Sequence, residues 1–485
     1  MKHLITILAV IILVADFGSA QPPDTLWTRT YGRSDYDYLY CVQQTEPDGG
    51  FVAAGCKAVS GSGTDLWIFK TDPNGDLLWE HTWGGSYNDA GYWVEQTNDG
   101  GYIVVGSYYP DSYNYDACLR KYDTDGNLTW SYTYNYSGVE GDDGHCVQQT
   151  SDGGYIFAGG TYTGGGNIWD FYLVKVDSAG TIEWQRSYPE GGYEAASFVR
   201  QTSDGGYVLC GYHTPNFPVP HDGRVFKTDA NGNTQWTYTF GGSGGEGACC
   251  VRQTVPDGGY IVAGMTESYG AGSSDYVLLK LTASGTRDWW HTFGGSGVDE
   301  AYSVVQTDDG GYAILGSLET ATSDDYWLIK TDSQGQEEWD ETYGGANDER
   351  GVCVAQTSDG GYILGGSTQS YGAGGWDGWL VRLGPSPGGV IPADEARPDK
   401  FALLRAFPNP FNPSTRITYD LPTTCPVTLE VFDLLGRCVA NLAKGVQPAG
   451  NYSILFDGSG LPSGLYFYRL QAGNFIQTQK MVLLK

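Results

Sequence analysis

Apolar residues in this chain fall in short alternating runs, four to a unit, and the unit recurs. Between Tyr38 and Trp83, a run ending in V-Q-Q-T meets the turn sequence E-P-D-G-G and is followed by a second run, FVAAG. A loop then leads to a third run, DLWIFK, whose period of two marks a half-buried strand. The turn D-P-N-G opens a fourth run, which carries Trp79. The glycines of D-G-G and D-x-x-G permit the positive φ that tight reversals need. Each unit therefore predicts four short antiparallel strands and no helix.

The repetition is regular enough to count. Asp-Gly-Gly begins at Asp48, Asp99, Asp152, Asp204, Asp257, Asp309 and Asp359, at spacings of 50 to 53 residues. V-x-Q-T or its equivalent ends just before each, at Thr45, Thr97, Thr150, Thr202, Thr254, Thr307 and Thr357. An Asp five positions ahead of a basic residue recurs from Asp65/Lys70 to Asp377/Arg382. A Trp recurs at Trp27, Trp79, Trp130, Trp184, Trp236, Trp289 and Trp339. Four strands per unit at this period predict an all-β fold, a seven-bladed β-propeller. The segment TLWTRTYG, with Trp27 and Tyr31, is a fourth strand that precedes any other, while the last unit ends on a third strand, DGWLVRLG. The first strand is thus expected to complete the last blade and remove the open edge. An aromatic residue follows each Trp by four positions, on the same face of its strand, where both can fill the wedge between blades.

Composition narrows what this ring can meet. Acidic residues number 57 against 27 basic, a net charge of −30, which argues against a phosphate backbone as partner. The leader, residues 1–20, has a short polar start, the apolar run LITILAVIILVADF and the small residues Gly18, Ser19 and Ala20. It reads as a secretory signal peptide cleaved before Gln21, so the mature chain is expected outside the cytoplasm and not integral to a membrane. Ten Cys in an exported chain would usually suggest disulfides. Four of them, Cys41, Cys146, Cys250 and Cys353, share one repeat position with Trp93, Phe198 and Ser303, which reads as a packing site instead. No Cys/His cluster calls for zinc, and no metal or cofactor is expected.

The pattern changes after Leu383. Residues 21–384 are assigned to the propeller and 385–400, rich in Pro and Gly, to a linker. Residues 401–485, with the runs TRITYDL, VTLEVFD, YSILFD and LYFYRL, predict a small immunoglobulin-like β-sandwich. FPNPFNPST (Phe407 to Thr415), VFDLLGR (Val431 to Arg437), LPSGLYFYRL (Leu461 to Leu470) and the terminal KMVLLK resemble the C-terminal sorting domain of type IX secretion. That fold is shared with the immunoglobulin-like domain of the flagellar hook-capping protein. The resemblance implies export, with residues 401–485 engaging the secretion machinery. Charge divides the same way: the tail has seven basic and four acidic side chains, a net of +3, leaving −33 on propeller and linker.

The repeats resemble the D-G-G-Y propeller units of large exported bacterial proteins of unassigned function. The stretch D-x-x-G-x-x-x-W, as in DPNGDLLW, also resembles the Asp-box of sialidase-like propellers and the Trp-bearing repeat of quinoprotein-like ones. A sialidase requires an arginine cluster. Here Arg200 and Arg252 share one first-strand position, and the other copies carry Gln43, Glu95, Gln148, Val305 and Ala355. DTDGN at Asp123 to Asn127 resembles part of a calcium loop but lacks its later ligands, and a turn explains all copies.

No catalytic residues are expected, because His81, His145, His213, His221 and His291 occupy unrelated repeat positions and no nucleophile recurs. The favoured function is an extracellular binding or adhesion module for a protein or polysaccharide. A polysaccharide lyase or glycosidase using an acidic pair is the alternative. Loops between second and third strands vary in sequence yet keep aromatics, which supply contact area cheaply. The candidate contacts are Tyr108, Tyr109, Tyr113, Tyr115, Trp169, Tyr212, Phe217, Tyr269, Tyr371 and Trp376. An acidic residue stands eight positions before each recurrent Thr: Asp37, Asp89, Asp142, Glu194, Glu246, Asp299 and Glu349. These seven predict a ring near the axis on the variable-loop face, where they either attract a cation or basic partner or accept backbone N–H bonds from their own loops.

Overall fold

A computed structural model describes residues 21–33, 35–59, 63–110, 114–136, 141–163, 169–189, 191–214 and 220–385 of the first compact unit. Of the second it describes residues 401–403, 406, 411, 414–447, 450–473 and 475–483. All regular structure among them is β-strand.

The first unit is a ring of seven four-stranded antiparallel blades, as the repeats predict. Blade 1 runs Tyr38–Gln44, Phe51–Ala58, Thr64–Thr71 and Leu77–Trp83, in that order across the sheet. Each first strand lines the axis and each fourth strand is the exposed outer edge, which is why the fourth alternates least cleanly between buried and polar. The last blade has Glu349–Gln356, Tyr362–Thr368 and Asp377–Leu383, and its fourth strand is Thr25–Tyr31 from the start of the ring. Thr28 pairs with Val381 and Tyr31 with Gly378. A single parallel bridge, Trp169 to Tyr193, also links the sheets of blades 3 and 4.

The repeat letters now acquire physical jobs. In V-x-Q-T-x-D-G-G, each Thr hydroxyl donates to the turn Asp at 2.5–2.7 Å. The other oxygen of that Asp holds a third-strand cation at 2.5–3.0 Å: Lys70, Lys121, Lys175, Lys227, Lys280, Lys330 or Arg382. These cations are almost wholly buried, so the pairing offsets a desolvation cost that a lone ammonium could not bear. The Gln side chains tie blades together. Gln96 accepts the N–H of Glu46 in the preceding blade, and the same link repeats round to Gln44, which accepts from Ser358 across the seam. Each recurrent Trp packs on the aromatic that follows D-G-G in the next blade, from Trp27 on Phe51 to Trp339 on Tyr362, with ring centroids 5.4–6.2 Å apart. The same indoles cover the D-x-x-G turns. At Gly285, with φ +80°, a Cβ would stand 2.4 Å from Trp236.

The cysteines behave as packing residues. All ten are free thiols, and Cys41, Cys146, Cys250 and Cys353 are buried around the axis with Trp93 and Phe198. Cys41 and Cys353 meet across the seam with sulfurs 4.0 Å apart.

The second unit is a two-sheet sandwich. One sheet contains Ala402–Leu403, Ser414–Leu421 and Gly450–Asp457, and the other Cys438–Gln447, Cys425–Phe432, Gly464–Ala472 and Phe475–Leu483. Its core gathers Ile417, Tyr419, Leu429, Val431, Tyr468 and Leu470.

Candidate binding face at the mouth of the axial channel

All seven ring carboxylates lie on the variable-loop side, and every one of them is buried at 0–1 % exposure. They are anchors for loops. Asp37 accepts the N–H of Arg33 at 2.6 Å and of Ala58 at 2.8 Å. Asp89 takes Gly85 and Tyr109, and Asp299 takes Gly295 and Glu319, in the same two-handed way. One oxygen thus holds the loop joining two blades, and the other holds the loop between second and third strands. Where the ring residue is Glu, the longer arm reaches a hydroxyl: Thr266 donates to Glu246 at 3.1 Å and Thr368 to Glu349 at 2.6 Å. Those hydroxyls in turn accept N–H bonds from Ser268 and Tyr269, or from Ser370 and Tyr371. Two of the three Glu therefore face a Thr across the pair, while Asp142 faces Thr161 without the longer arm. Glu194 instead accepts from His213 Nδ1 at 2.7 Å, and Asp142 accepts Tyr136 N–H at 3.1 Å.

The same carboxylates face a second set. At four seams the Asp that opens a third strand meets the ring residue of the following blade, as Asp65 does Asp89 and Asp275 does Asp299, with a glycine wedged between them. A Cβ on Gly84 would lie 2.3 Å from Asp65 and 2.4 Å from Asp89. Burial and then the facing carboxylate push Asp65, Asp325 and Asp377 above the usual range. Burial chiefly takes Asp142 up to about 6. One oxygen each of Asp142 and Asp170 is buried without a hydrogen-bond partner.

Above these anchors lies a line of aromatics across blades 2 to 4. Tyr109 stacks on Tyr115 with centroids 4.7 Å apart, and Tyr115 on Trp169 at 5.7 Å. Trp169 meets Tyr193 at 5.8 Å, and Tyr193 stacks on Tyr212 at 6.1 Å. The structure therefore brings four of the sequence candidates together through Tyr193, which sequence reasoning missed. The others lie apart. Tyr108 packs on Trp83, and Trp376 on Tyr38. Tyr269 and Tyr371 fold onto neighbouring loops, donating to Gly241 and Gly344 carbonyls. Tyr113 and Phe217 lie outside the described residues.

The line ends at a cup around the axis. The axial strands carry a β-bulge at one repeat position, which turns an extra side chain toward the channel. Tyr40, Tyr92, Ser197, Cys249, Tyr302 and Val352 occupy that position, and His145 is its counterpart in blade 3. All are half-buried, above the fully buried floor of Cys41, Trp93, Cys146 and Phe198. His145 Nε2 stands 3.4 Å from Asp143, and its Nδ1 is 2.9 Å from the Ala196 carbonyl. Burial opposes its charge, but Asp143 prevails and raises it to about 9. Across the cup, Arg350 donates to the Tyr302 hydroxyl at 2.8 Å, and that hydroxyl donates to Glu300. Among the described residues no three His, Cys, Asp or Glu side chains gather as a metal site.

Residues 405–484 match the secretion system C-terminal sorting domain, and residues 256–288 match a β-propeller domain of unknown function. The chain is a β-propeller with a type IX sorting tail. Such a tail directs export to the cell surface or the extracellular space, and implies contact between this propeller protein and the secretion machinery. No described helix is long and apolar enough to cross a membrane. No curated protein matches the sequence. Among solved structures, a fungal alcohol oxidase of the AA5 family in complex with copper aligns at TM-score 0.51 and 13 % identity, covering 96 % of this chain and 100 % of that one. PorZ, an essential surface component of the type-IX secretion system of Porphyromonas gingivalis, aligns at 0.42 and 10 %, covering 94 % of this chain. The propeller protein spans 60 % of PorZ. A bifunctional GH43-CE protein of Bacteroides eggerthii aligns at 0.32 and 10 %, covering 96 % of this chain and 59 % of its own. At these identities the likeness is one of fold.

Proposed function

We propose that the propeller is a non-catalytic binding module for an extracellular polysaccharide, held at the cell surface or released after export. The observation that carries this reading is the aromatic line from Tyr109 to Tyr212, running to a cup where aromatic walls alternate with Asp143, His145, Glu300 and Arg350. Sugars need both: an apolar surface for their C–H faces, and carboxylate and guanidinium groups that satisfy hydroxyls in pairs. Asp143 belongs to both regions, since its charge acts on Tyr92, Tyr109, Tyr115, Tyr193 and Tyr212 alike. Tyr193 is 40 % exposed, so replacing it disturbs little of the core. Tyr193→Ala is expected to weaken retention on an immobilised polysaccharide panel by roughly tenfold while leaving the thermal midpoint within a degree or two. Unchanged retention of every polysaccharide bound by the parent would overturn the reading.

One observation favours a second reading, a polysaccharide-active enzyme. The cup holds two carboxylates with different partners, Asp143 on a histidine and Glu300 on a tyrosine, and unlike environments are how acid and base roles separate. Reducing-end release from the same panel, abolished in both Asp143→Asn and Glu300→Gln, is the result that would favour it.

A further inference from the structure

Below the floor of the cup, toward the uniform turns, the axial strands present one more ring of side chains. It lies two positions beyond the buried plug, on the same strand face. Most of its members are neutral: Gln43, Gln148, Val305 and Ala355. Three are charged, and cations outnumber the anion. Arg200 and Arg252 come from adjacent blades, and Glu95 from a third.

Arg200 is 93 % buried, with 7 % exposure. Its guanidinium lies 4.2 Å from the Phe198 ring and 4.9 Å from the Trp93 ring. Nη1 donates to the Val199 carbonyl at 2.7 Å and to Cys146 sulfur at 3.0 Å. Arg252 donates Nε to the Val304 carbonyl at 2.8 Å and lies 5.3 Å from the same Phe198 ring. Glu95 accepts the N–H of Gln149 at 3.2 Å, and burial lifts its pKa while the two arginines hold it down. The indole N–H of Trp93, also 7 % exposed, has no partner among the described residues. Around one axis, then, stand two planar donors and an unsatisfied N–H against one carboxylate, all bedded in aromatic and aliphatic side chains. An excess of positive charge in which Arg200 is buried and Arg252 half-buried is costly unless it is paired.

We propose that this lower ring binds a small monovalent carboxylate, held by Arg200 and Arg252. A guanidinium fork matches a carboxylate in two parallel hydrogen bonds, which neither the turn lysines nor the glutamines of this ring could supply. Glu95 acts as a weak internal counter-ion: it keeps the empty ring tolerable and competes with the incoming anion. The site lies on the other side of the plug from the polysaccharide cup and does not depend on that reading.

Saturation-transfer NMR on the full-length protein with sodium acetate as probe tests this. The parent is expected to transfer magnetisation to the acetate methyl group in a saturable way. Arg252→Gln is half-buried at that position and expected to fold, and it should weaken binding by about tenfold or more. Glu95→Gln, which removes the competitor, should tighten it by about tenfold. Equal transfer in parent and Arg252→Gln would overturn the proposal. So would transfer absent from both parent and Glu95→Gln. Transfer seen in Glu95→Gln alone would mean that Glu95 fills the ring by itself, and would overturn it too.

Discussion

The two ends of every blade solve opposite electrostatic problems. At the turn end, each buried cation has its own carboxylate, and seven copies of this pair differ by a single Lys-to-Arg exchange. At the loop end, carboxylate faces carboxylate across the seam between blades, and backbone N–H groups and hydroxyls do most of the compensating, with no lysine or arginine as partner among the described residues. The turn end is built for stability and keeps its ion pair in every copy. The loop end accepts a standing repulsion, and there the loops diverge in length and sequence around fixed anchor points. Variation is affordable on a surface whose attachment is made by main-chain N–H groups, because an N–H is present whatever the side chain.

Removing one carboxylate should therefore have opposite effects at the two ends. Asp204→Ala strands Lys227, which is 2 % exposed, and is expected to lower stability by about 3 kcal/mol, read as a fall in denaturant midpoint. Asp142→Asn removes a buried charge and lets an amide donate where an oxygen now lacks a partner. It is expected to raise stability at pH 7 by about 2 kcal/mol. A loss in the second case, or no change in the first, would break the contrast.

Acid should separate the ends without mutation. Asp142 binds its proton in the folded state at about 6, above the unfolded value, so folding gains stability as pH falls from about 6 toward 4. Asp152 and Asp204 are held down to about 2 by their Thr, Gly and Lys contacts, so their contribution is present above about 4 and lost as pH falls through 2. His145 adds stability that is complete below about 6.5 and lost as pH rises through about 9. The thermal midpoint is thus expected to peak in mild acid, near pH 4 to 5, and Asp142→Asn should flatten its rise between pH 7 and 4. A midpoint that falls monotonically from pH 7 would show that the facing carboxylates are not strained. The smallest effect should come from Glu349→Asp, which cannot reach both Gly345 and Thr368 and is expected to cost about 1 kcal/mol.

Most of the fold was legible because the blade is a local object. Strand period, D-G-G turns and the displaced first strand lie along the chain, and a seven-fold repeat averages away single exceptions. The anchors were half legible. Both acidic series stand out by spacing, yet Asp65 and Asp89 meet only across a seam, and nothing in linear order pairs them. The partners of the ring residues gave no hint either, since Thr266 and Thr368, which donate to Glu246 and Glu349, lie about 20 residues on, in another strand. The cup was not legible. Its residues share a place and no chemistry, from Tyr40 to His145 to Cys249, because a bulge fixes where a side chain points and leaves its identity free. Histidines read as scattered among repeat positions therefore hid the one that reaches the axis.

The strand Thr25–Tyr31 is made early and seated late. Its partner, Asp377–Leu383, follows it by most of the ring, so the pairing of Thr28 with Val381 spans nearly the whole repeat array. Every other strand can find a neighbour from its own unit as soon as that unit exists, but this one must wait. Closing so long a loop costs little more than closing one half its length, because the entropy grows only with the logarithm. What it costs is time: contacts of this separation form slowly, and until they do the last blade exposes a hydrogen-bonding edge. A protein whose sorting signal follows its final blade thereby links two deadlines, since the segment that addresses the chain for export emerges just after the one that permits the ring to shut.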